Sequence, residues 1–399
     1  MGFSSVFNIV FIAVLFLVVS ITNALQSNVF DVTHYGAVAD GKTDNSKAFS
    51  KAWNESCQWQ GRSSVLIPLG SYFLSSLNLN GPCNGPMEFL IKGVLKAPTE
   101  PSQFLNTNHW ITFQYMENLT VTGGGTLDGK GASGWPYNTC NKGQCPGLPA
   151  SLILLFINNS EINHINSLNS KNVHLNIFGC HNMNLSHITI SAPGDSPNTD
   201  GMHISASTNI RVSVMDIATG DDCISLGPGN HRIHISKSFC GPGHGISVGS
   251  LGRSDEEQHV TRLVVTNCTF TRTLNGVRIK TWAATPNDAG GIVSNMLFDS
   301  IVVNNVYNPI LIDQQYCPFP PCGQDSSLIQ IANVTFSNIR GTSASREAVK
   351  LVCSESKPCK NIVLENINLK YLGHEGPAIS SCAHVNVISR GQLQPPACS

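Results

Sequence analysis

Charge is scarce in this sequence, and the little that is present is balanced. Charged residues make up 12% of the 399 residues, and the net charge at pH 7 is −1. General binders of nucleic acid or of membrane surfaces carry an excess of basic residues. The sequence therefore predicts neither a nucleic-acid partner nor a membrane partner. An anionic ligand remains compatible with it, because a local cluster of charges can bind what the average does not reveal.

Several patterns that mark other fold classes and other sites are also missing. The chain contains neither Cys-x-x-Cys nor His-Glu-x-x-His, so no zinc site or other metal site is predicted. Helical patterns of about 10–15 residues do not alternate with the strand-like runs, which disfavours a βαβ fold. No linker rich in Pro, Gly or Ser divides the chain. We therefore expect one domain, over residues 25–399.

The N-terminal segment is the one long apolar stretch. The first 24 residues carry no charge, include the run Val6–Ile21, and end in the small-x-small tripeptide Thr22-Asn23-Ala24. This pattern is typical of a secretory signal peptide over residues 1–24. A membrane anchor is the alternative, but the run is short for a span. We expect a secreted, extracellular protein.

Cysteine content agrees with secretion. All 14 cysteines follow the expected cleavage site, and an even number in a secreted chain favours disulfides over thiols or metal ligands. Close spacing suggests four local pairs: Cys140/Cys145, Cys317/Cys322, Cys353/Cys359 and Cys382/Cys398. A glycosylated surface is indicated by Asn-x-Ser/Thr sequons that begin at Asn54, Asn118, Asn158, Asn184, Asn267 and Asn333.

The strand pattern predicts the fold class. From about Asn118 onward, short runs of Ile, Val and Leu alternate with polar residues and are punctuated by Gly, Asn and Asp, as in NMNLSHITISA and NIRVSVMDIA. Alternation of this kind is the signal of a β-strand, and repetition at a period of 20–50 residues is the signal of a solenoid. We predict an all-β chain wound into a right-handed parallel β-helix rather than a sandwich or a propeller.

One helix is expected before the strands. Ala48, Phe49, Ala52 and Trp53 lie on one side of a helical pattern. Thr43 or Asp44 is the predicted cap. Such a helix would cover the end of the solenoid core, which needs a capping element for solubility.

Charged residues recur at one spacing. Asp200 in SPNTDG precedes Asp222 in TGDDC by 22 residues, and Asp222 precedes His244 in GPGHGIS by another 22. Lys280 in GVRIK follows after 36, which we interpret as one repeat carrying an insertion. Equivalent positions in adjacent coils lie ~4.8 Å apart. The spacing therefore predicts one row of charged side chains on one face, with Asp221 beside Asp222.

Carboxylates grouped in this way suit the cleavage of a glycosidic bond, in which one acid protonates the leaving oxygen and others activate water. Crowding should raise the pKa of at least one of them. His244 can steer or protonate its acidic neighbour. Arg278 and Lys280, two apart on a strand, face one side and can bind a sugar carboxylate. Taken singly, each residue also fits a turn or a solvated surface, so the shared spacing is what favours an active site.

Together, SPNTDG, TGDDC, GPGHGIS and GVRIK resemble the four signature segments of the polygalacturonases, glycoside hydrolase family 28. The resemblance implies a right-handed parallel β-helix that hydrolyses α-1,4 bonds between galacturonates with inversion, without a metal or cofactor. By the same resemblance, Asp221 is the proton donor, Asp200 and Asp222 position and deprotonate water, and His244 supports the donor.

The resemblance also implies a set of substrate contacts. Arg278 and Lys280 would bind the substrate carboxylate, Tyr316 in QQYCP would contact the sugar, and Asn198 would complete the hydrogen-bond network. A Cys223–Cys240 disulfide is implied as well.

Two longer stretches, APGDSPNTDG and GPGHGISVGSLGR, resemble plant pollen-type exopolygalacturonases. We therefore expect an exo-acting monomer that binds polygalacturonate, and an endo-acting enzyme is the alternative. Pectate lyases and pectin methylesterases also use parallel β-helices, but a lyase needs calcium-binding acids and an arginine base. A catalytically silent wall-binding solenoid should have lost a motif residue, and all are present.

Overall fold

The computed structural model describes residues 28–105, 107–139, 147–254, 258–284, 290–323 and 325–398. The expected signal peptide and the expected Cys140/Cys145 pair lie outside these ranges. Strands dominate the described residues, which confirms the all-β prediction. In this part of the chain, no helix has the length and apolarity needed to cross a membrane.

The smaller of two sheets has 11 strands that follow one another in chain order. Each pairs in parallel with the strand before it and the strand after it. Its strands are β5 (Leu77–Asn80), β8 (His109–Gln114), β11 (Ala150–Leu155), β13 (Leu175–Phe178), β15 (Met202–Ser205), β17 (Ile224–Leu226), β20 (Ile246–Leu251), β23 (Asn275–Trp282), β25 (Asn308–Tyr316), β27 (Glu347–Val352) and β29 (Ile379–Ala383).

The larger sheet has 19 strands, and its registered pairings are parallel too. They are β1 (Asn28–Asp31), β2 (Asp40–Asp44), β3 (Ser63–Ile67), β4 (Ser71–Phe73), β6 (Met87–Ile91), β7 (Val94–Lys96), β9 (Leu119–Thr122), β10 (Thr126–Asp128), β12 (Asn158–Leu168), β14 (His181–Ser191), β16 (Thr208–Ala218), β18 (Asn230–Ser236), β19 (Phe239–Cys240), β21 (Val260–Thr266), β22 (Thr269–Thr271), β24 (Gly291–Val306), β26 (Ile329–Ser343), β28 (Cys359–Tyr371) and β30 (Val385–Gln394).

Successive side chains along each strand point alternately to the core and to the outer face of the sheet. In the 11-stranded sheet, one apolar position repeats in register on six neighbouring strands, and its side chain is completely buried on each of them. This ladder consists of Ile204, Leu226, Val248, Ile279, Ile312 and Leu351. Residues next to each of these positions point outward, and the charged motif residues lie on that outer side.

Helices are few. Helix α1 (Ser46–Gln58) buries Ala48, Phe49, Ala52 and Trp53, which confirms the predicted apolar side. It packs on β1, β3 and β5, and the Trp53 ring meets the Phe113 ring edge-on at 5.4 Å. The helix therefore covers the first strands of the fold, as expected. The short α2 (Pro101–Phe104) and three 3₁₀ turns, at Val32–Tyr35, Gly131–Ser133 and Trp135–Tyr137, complete the helical residues described.

The predicted cap of α1 is wrong by one residue. Its N-cap is Asn45, and the Asn45 amide donates to the carbonyl oxygens of Thr43 and Phe73 instead of capping the helix. Asp44 still assists the first turn, because its Oδ1 accepts a hydrogen bond from the Ser46 backbone N–H at 3.0 Å. Asp44, one of the two predicted residues, therefore does bind the helix N-terminus, but it lies one position before the N-cap.

Five disulfides join described cysteines. The predicted Cys317–Cys322, Cys353–Cys359 and Cys382–Cys398 bonds are confirmed, as is the Cys223–Cys240 bond implied by the family resemblance. A fifth, Cys57–Cys83, was not predicted. Two buried cysteines, Cys180 and Cys268, are free thiols, so the expectation of disulfides throughout is wrong for these two. All six sequon asparagines are exposed.

Candidate active site

The row of charged residues precedes three neighbouring strands of the 11-stranded sheet. Met202 pairs with Ile224, and Ile224 pairs with Ile246, so one repeat is 22 residues here. Asp200, Asp222 and His244 each stand two residues before these paired positions. Backbone bonds tie them together: the Gly201 N–H donates to the Asp222 carbonyl at 2.9 Å. The predicted register of these three residues is confirmed.

Lys280 does not continue this row. Ile246 pairs with Val277, so the next repeat spans 31 residues, and the position equivalent to His244 is Asn275. Lys280 lies five residues farther along the same strand, β23. The interpretation of the 36-residue step as one repeat is therefore wrong. Lys280 reaches the site because its side chain is long.

Asp222 is the buried centre of the site. Its Oδ1 accepts hydrogen bonds from Arg278 Nη2 at 2.8 Å and from Ser247 Oγ at 2.7 Å. Its Oδ2 accepts from Lys280 Nζ at 2.9 Å. The Asp222 side chain is 2% exposed, and the side chains of Arg278 and Lys280 are each 9% exposed. Arg278 and Lys280 face the same side, as predicted, and both form ion pairs with Asp222.

This pairing sets the charge states. Burial alone would raise the pKa of Asp222, yet the positive charges of Lys280 and Arg278 and their hydrogen bonds lower that pKa to about 2. Burial alone would likewise lower the pKa of Lys280, but the Asp222 carboxylate raises it. At neutral pH the three side chains therefore form one ionised cluster with a net charge of +1.

Asp221 is the more open carboxyl group. Its Oδ1 lies 3.0 Å from His244 Nδ1 and accepts from the Asp222 backbone N–H at 2.7 Å. Its Oδ2 lies 3.5 Å from Asn198 Nδ2. The His244 side chain is 36% exposed and that of Asp221 is 21% exposed. These two groups are therefore more accessible to a substrate than Asp222, Arg278 and Lys280.

Asp200 has the opposite electrostatic environment from Asp222. Its Oδ2 accepts a hydrogen bond from Ser225 Oγ at 2.8 Å. Burial first, and then the charges of Asp221 and Asp222, raise its pKa well above the usual range, although Ser225 and Lys280 oppose the shift. Crowding by Asp221 and Asp222 contributes to the raised pKa of Asp200, as predicted, but burial is the larger cause.

The remaining two predicted residues lie around this cluster. Asn198 has a left-handed backbone, with φ +54°. Its Oδ1 accepts from Asn138 Nδ2 at 3.0 Å, so it links the turn that ends at Asn138 to Asp221. Tyr316 is half-buried, and Lys280 Nζ lies 5.2 Å from its ring centroid. The structure thus brings all eight predicted residues to one site.

Glycine permits the turn that carries His244. Gly245 has φ +86°, and a Cβ atom there would lie 2.1 Å from the Asn275 carbonyl oxygen. A side chain at this position would force β20 and β23 apart. Glycine adopts such a left-handed backbone without strain, because it has no Cβ atom.

Asp221, Asp222 and His244 are the described residues whose side chains could hold a cation, since their ligand atoms lie within 4.8 Å of one another. Both oxygens of Asp222 already accept hydrogen bonds from cationic side chains. A metal ion would have to compete with Arg278 and Lys280 for the same carboxylate, so the donor set suits charge pairing better than metal ligation.

Sequence reasoning missed four residues that support the site: Asn138, His203, Ser225 and Ser247. The last three repeat at the same 22-residue interval as the motif residues, each three positions after one of them. That shared interval was the signal that could have identified them. Asn138 had no such signal, because it lies 60 residues from its partner Asn198.

The chain is similar to known proteins along most of its length. The family model described as glycosyl hydrolases family 28 matches residues 57–392. A polygalacturonase of Gossypium hirsutum is 46% identical, over 97% of this chain and 94% of the relative. An exopolygalacturonase of Platanus acerifolia is 44% identical, over 93% of this chain and 97% of the relative.

Solved structures agree at the level of the fold. The endo-xylogalacturonan hydrolase of Aspergillus tubingensis has a TM-score of 0.78 and 23% identity, covering 92% of this chain and 99% of that one. The hyperthermoactive exopolygalacturonase of Thermotoga maritima has a TM-score of 0.74 and 19% identity, covering 91% and 92%. With the family match and the close plant relatives, these findings establish that the chain belongs to the glycosyl hydrolases family 28.

Proposed function

We propose that this protein is an exo-acting polygalacturonase that hydrolyses α-1,4 bonds of de-esterified pectin with inversion. The observation that carries the proposal is that three neighbouring carboxyl groups have three different environments. Asp222 is held ionised between two cations, Asp200 has a raised pKa, and Asp221 is the open group beside His244. Different environments for neighbouring carboxyl groups are how one site holds both an acid and a base.

In the proposed reaction, Asp221 donates its proton to the oxygen of the leaving sugar. A water molecule attacks the anomeric carbon from the other side and gives its proton to Asp200, while Asp222 helps to orient that water. A general base works best when its pKa approaches the working pH, and the pKa of Asp200 is shifted upward, in that direction. Inversion requires room for water between acid and base, a separation of ~6.5–9.5 Å.

His244 supports the donor through the contact of its Nδ1 with Asp221 Oδ1 at 3.0 Å. That contact fixes the orientation of the carboxyl group. Asn198 approaches the other oxygen of Asp221 from the opposite side. Together the two side chains limit rotation of the donor, which is what proton transfer in a fixed geometry requires.

An acidic sugar fits the cationic part of the site. Arg278 carries five N–H donors and uses Nε and Nη2 on Ser247 and Asp222. Lys280 has three donors and uses one on Asp222. Both therefore retain donors for a substrate carboxylate, and the cluster they form with Asp222 is net positive. Tyr316, beside Lys280, is placed by this proposal against the same sugar.

We also infer the finer features of the fold and the location. The parallel pairing of consecutive strands in both sheets supports a single right-handed parallel β-helix domain over residues 25–399, because parallel crossover connections are almost always right-handed. Residues 1–24 are proposed to be the signal peptide. Five disulfides suit an oxidising, extracellular location, and the plant cell wall is the proposed place of action of a monomeric enzyme.

Product length tests the exo-acting proposal. The names of similar plant proteins, exopolygalacturonase among them, support exo action. We expect a time course on de-esterified polygalacturonate, followed by anion-exchange chromatography, to contain monogalacturonate alone from the earliest point. A ladder of oligomers at early times would instead establish the alternative, an endo-polygalacturonase.

Esterification tests the charge of the substrate. Methyl-esterified pectin lacks the carboxylates that Arg278 and Lys280 are proposed to bind. We expect its rate of hydrolysis to be lower by about tenfold or more, since a hydrogen bond to a charged group contributes about 1.5–3 kcal/mol. Saponifying the same pectin should restore the rate. Equal rates on both polymers would contradict a carboxylate-binding role for these cations.

A further inference from the structure

A second row of side chains runs beside the motif residues. His203 pairs with Ser225, Ser225 with Ser247, and Ser247 with Arg278, on the successive strands β15, β17, β20 and β23. Register partners on adjacent strands point to the same face of a sheet. This row therefore lies on the outer face, next to Asp200 and Asp222, and forms the floor of the site.

Members of the row bond to the two carboxylates above them. Ser247 donates to Asp222, and Arg278 donates to both Ser247 and Asp222. Ser225 Oγ donates to Asp200 Oδ2 at 2.8 Å. His203 Nδ1 lies 2.8 Å from Ser225 Oγ. Asp200 is thus supported by a chain of two side chains that contains no charged group, whereas Asp222 is supported by cations.

When Asp200 is ionised, as a base must be, the hydrogen atoms of this chain have one consistent arrangement. An ionised carboxylate only accepts, so the Ser225 hydroxyl hydrogen points to Asp200. The Ser225 oxygen can then only accept from His203, which requires the neutral tautomer with hydrogen on Nδ1. Burial lowers the pKa of His203 and favours the neutral ring. The direction of donation is therefore from His203 to Ser225 to Asp200.

We propose that His203 and Ser225 are positioning residues that hold Asp200 in the orientation and the ionised state required to take a proton from water. Ser225 engages Oδ2, and among the described residues no hydrogen bond is made to Oδ1, so the second oxygen is the one that faces the attacking water. The inference rests on the proposed function, in which Asp200 is the base.

The charges around Asp200 determine what the hydrogen bond from Ser225 contributes. Asp221 and Asp222 face Asp200 with negative charge, Lys280 faces it with positive charge, and the Ser225 hydrogen bond favours its ionised form. Without that hydrogen bond, less stabilisation remains to offset the repulsion that Asp221 and Asp222 exert on an ionised Asp200. The Asp200 pKa then rises further, and the acid limb of the pH profile of kcat moves to higher pH.

The test compares four variants with the native protein on de-esterified polygalacturonate. Ser225→Ala and His203→Leu break the chain at each link. His203→Asn keeps an N–H donor near the position of Nδ1. His231→Leu is the matched control, because His231 Nδ1 makes the same 2.8 Å contact with a hydroxyl, Thr261 Oγ1, in the 19-stranded sheet. Circular dichroism and thermal unfolding check that each variant folds.

We expect Ser225→Ala to lower kcat by about tenfold or more, within the range that acid–base catalysis supplies, and to move the acid limb upward with little change in KM. His203→Leu should act in the same direction but less strongly. His203→Asn should recover the native profile, and His231→Leu should keep it. A merely structural role would change stability without moving the pH profile.

Two results would overturn the inference, and they are distinguishable. If the native protein hydrolyses the polymer while Ser225→Ala and His203→Leu both keep its pH profile, the positioning role fails alone. If the native protein has no activity on polygalacturonate, the proposed function fails and the inference fails with it. Should Ser225→Ala not fold, the contrast between His203→Leu and His203→Asn decides the question.

Discussion

Asp221→Asn is expected to lower kcat on polygalacturonate by at least ~10²-fold, the low end of what acid–base catalysis contributes. The amide has nearly the shape of the carboxyl group but has no proton to give to the leaving oxygen. Folding should change little, since the Asp221 side chain is partly exposed and its main partners are His244 and the Asp222 backbone. Initial rates at saturating substrate measure the effect.

The matched control for this prediction is Asp216→Asn. Asp216 lies on β16 and is exposed to solvent, so the same chemical change there should leave kcat as it is. If Asp221→Asn kept more than about a tenth of the native kcat, Asp221 would not be the proton donor. The donor would then have to be another carboxyl group of the site.

Asp222→Asn is expected to damage both activity and stability. The amide cannot neutralise Arg278 and Lys280, whose side chains are each only 9% exposed. Removing one partner from a buried charge pair destabilises a protein by about 3–5 kcal/mol. We therefore expect the free energy of unfolding, measured by denaturant titration at pH 7, to fall by an amount in that range. For Asp221→Asn the change should be much smaller.

The difference in stability between the native protein and Asp222→Asn depends on pH, and the sign of that dependence can be derived. The pKa of Asp222 is lowered from 3.8 to about 2 in the folded protein. Its contribution to stability is therefore complete above pH 3.8 and is lost as the pH falls toward 2. The gap between the native protein and Asp222→Asn should shrink over this range. Asp200 acts with the opposite sign, because its pKa is raised and its ionisation opposes folding.

A double variant separates the ion pair from other effects. In Asp222→Asn with Lys280→Met, one of the two stranded cations is also removed, so part of the lost stability should return. The coupling between the two positions follows from the double-mutant cycle. An Asp222→Asn protein whose stability stays within about 0.5 kcal/mol of the native value, the usual range for surface changes, would contradict the buried ionic cluster.

Spacing in the sequence was sufficient to identify the main row of the site. Asp200, Asp222 and His244 are in register because the chain repeats at 22 residues over β15, β17 and β20. The same reasoning failed at Lys280, because the next repeat has 31 residues and the step of 36 mixes a coil with part of a strand. A regular period can be read from a sequence, whereas the length of an insertion cannot.

The distance that a side chain spans was the second feature that the sequence did not reveal. Nothing in GVRIK indicates that Arg278 and Lys280 end on Asp222, since that contact depends on how far two long side chains extend back along the strand. Some of the strands before Asn118 were missed for a local reason. Strands such as β4 and β7 have three residues each, which is too short for an alternating pattern to stand out.

The disulfides also differ in whether the sequence alone could predict them. Pairs close in the sequence were predictable, because a short loop brings them together in many folds. Cys57–Cys83 was not, since it joins the end of α1 to a turn 26 residues later. The free thiols of Cys180 and Cys268 lie in the buried interior, a tertiary property that cysteine counting does not reveal.

The most direct test of the central claim, inverting hydrolysis of polygalacturonate by these carboxyl groups, is the ¹H NMR spectrum of the first product. Inversion at an α-linked sugar releases the β-anomer, which later equilibrates with the α-anomer. We predict that native protein added to de-esterified polygalacturonate produces signals of β-galacturonate before those of the α-anomer. Initial release of the α-anomer, or of a product with an unsaturated ring, would contradict the account.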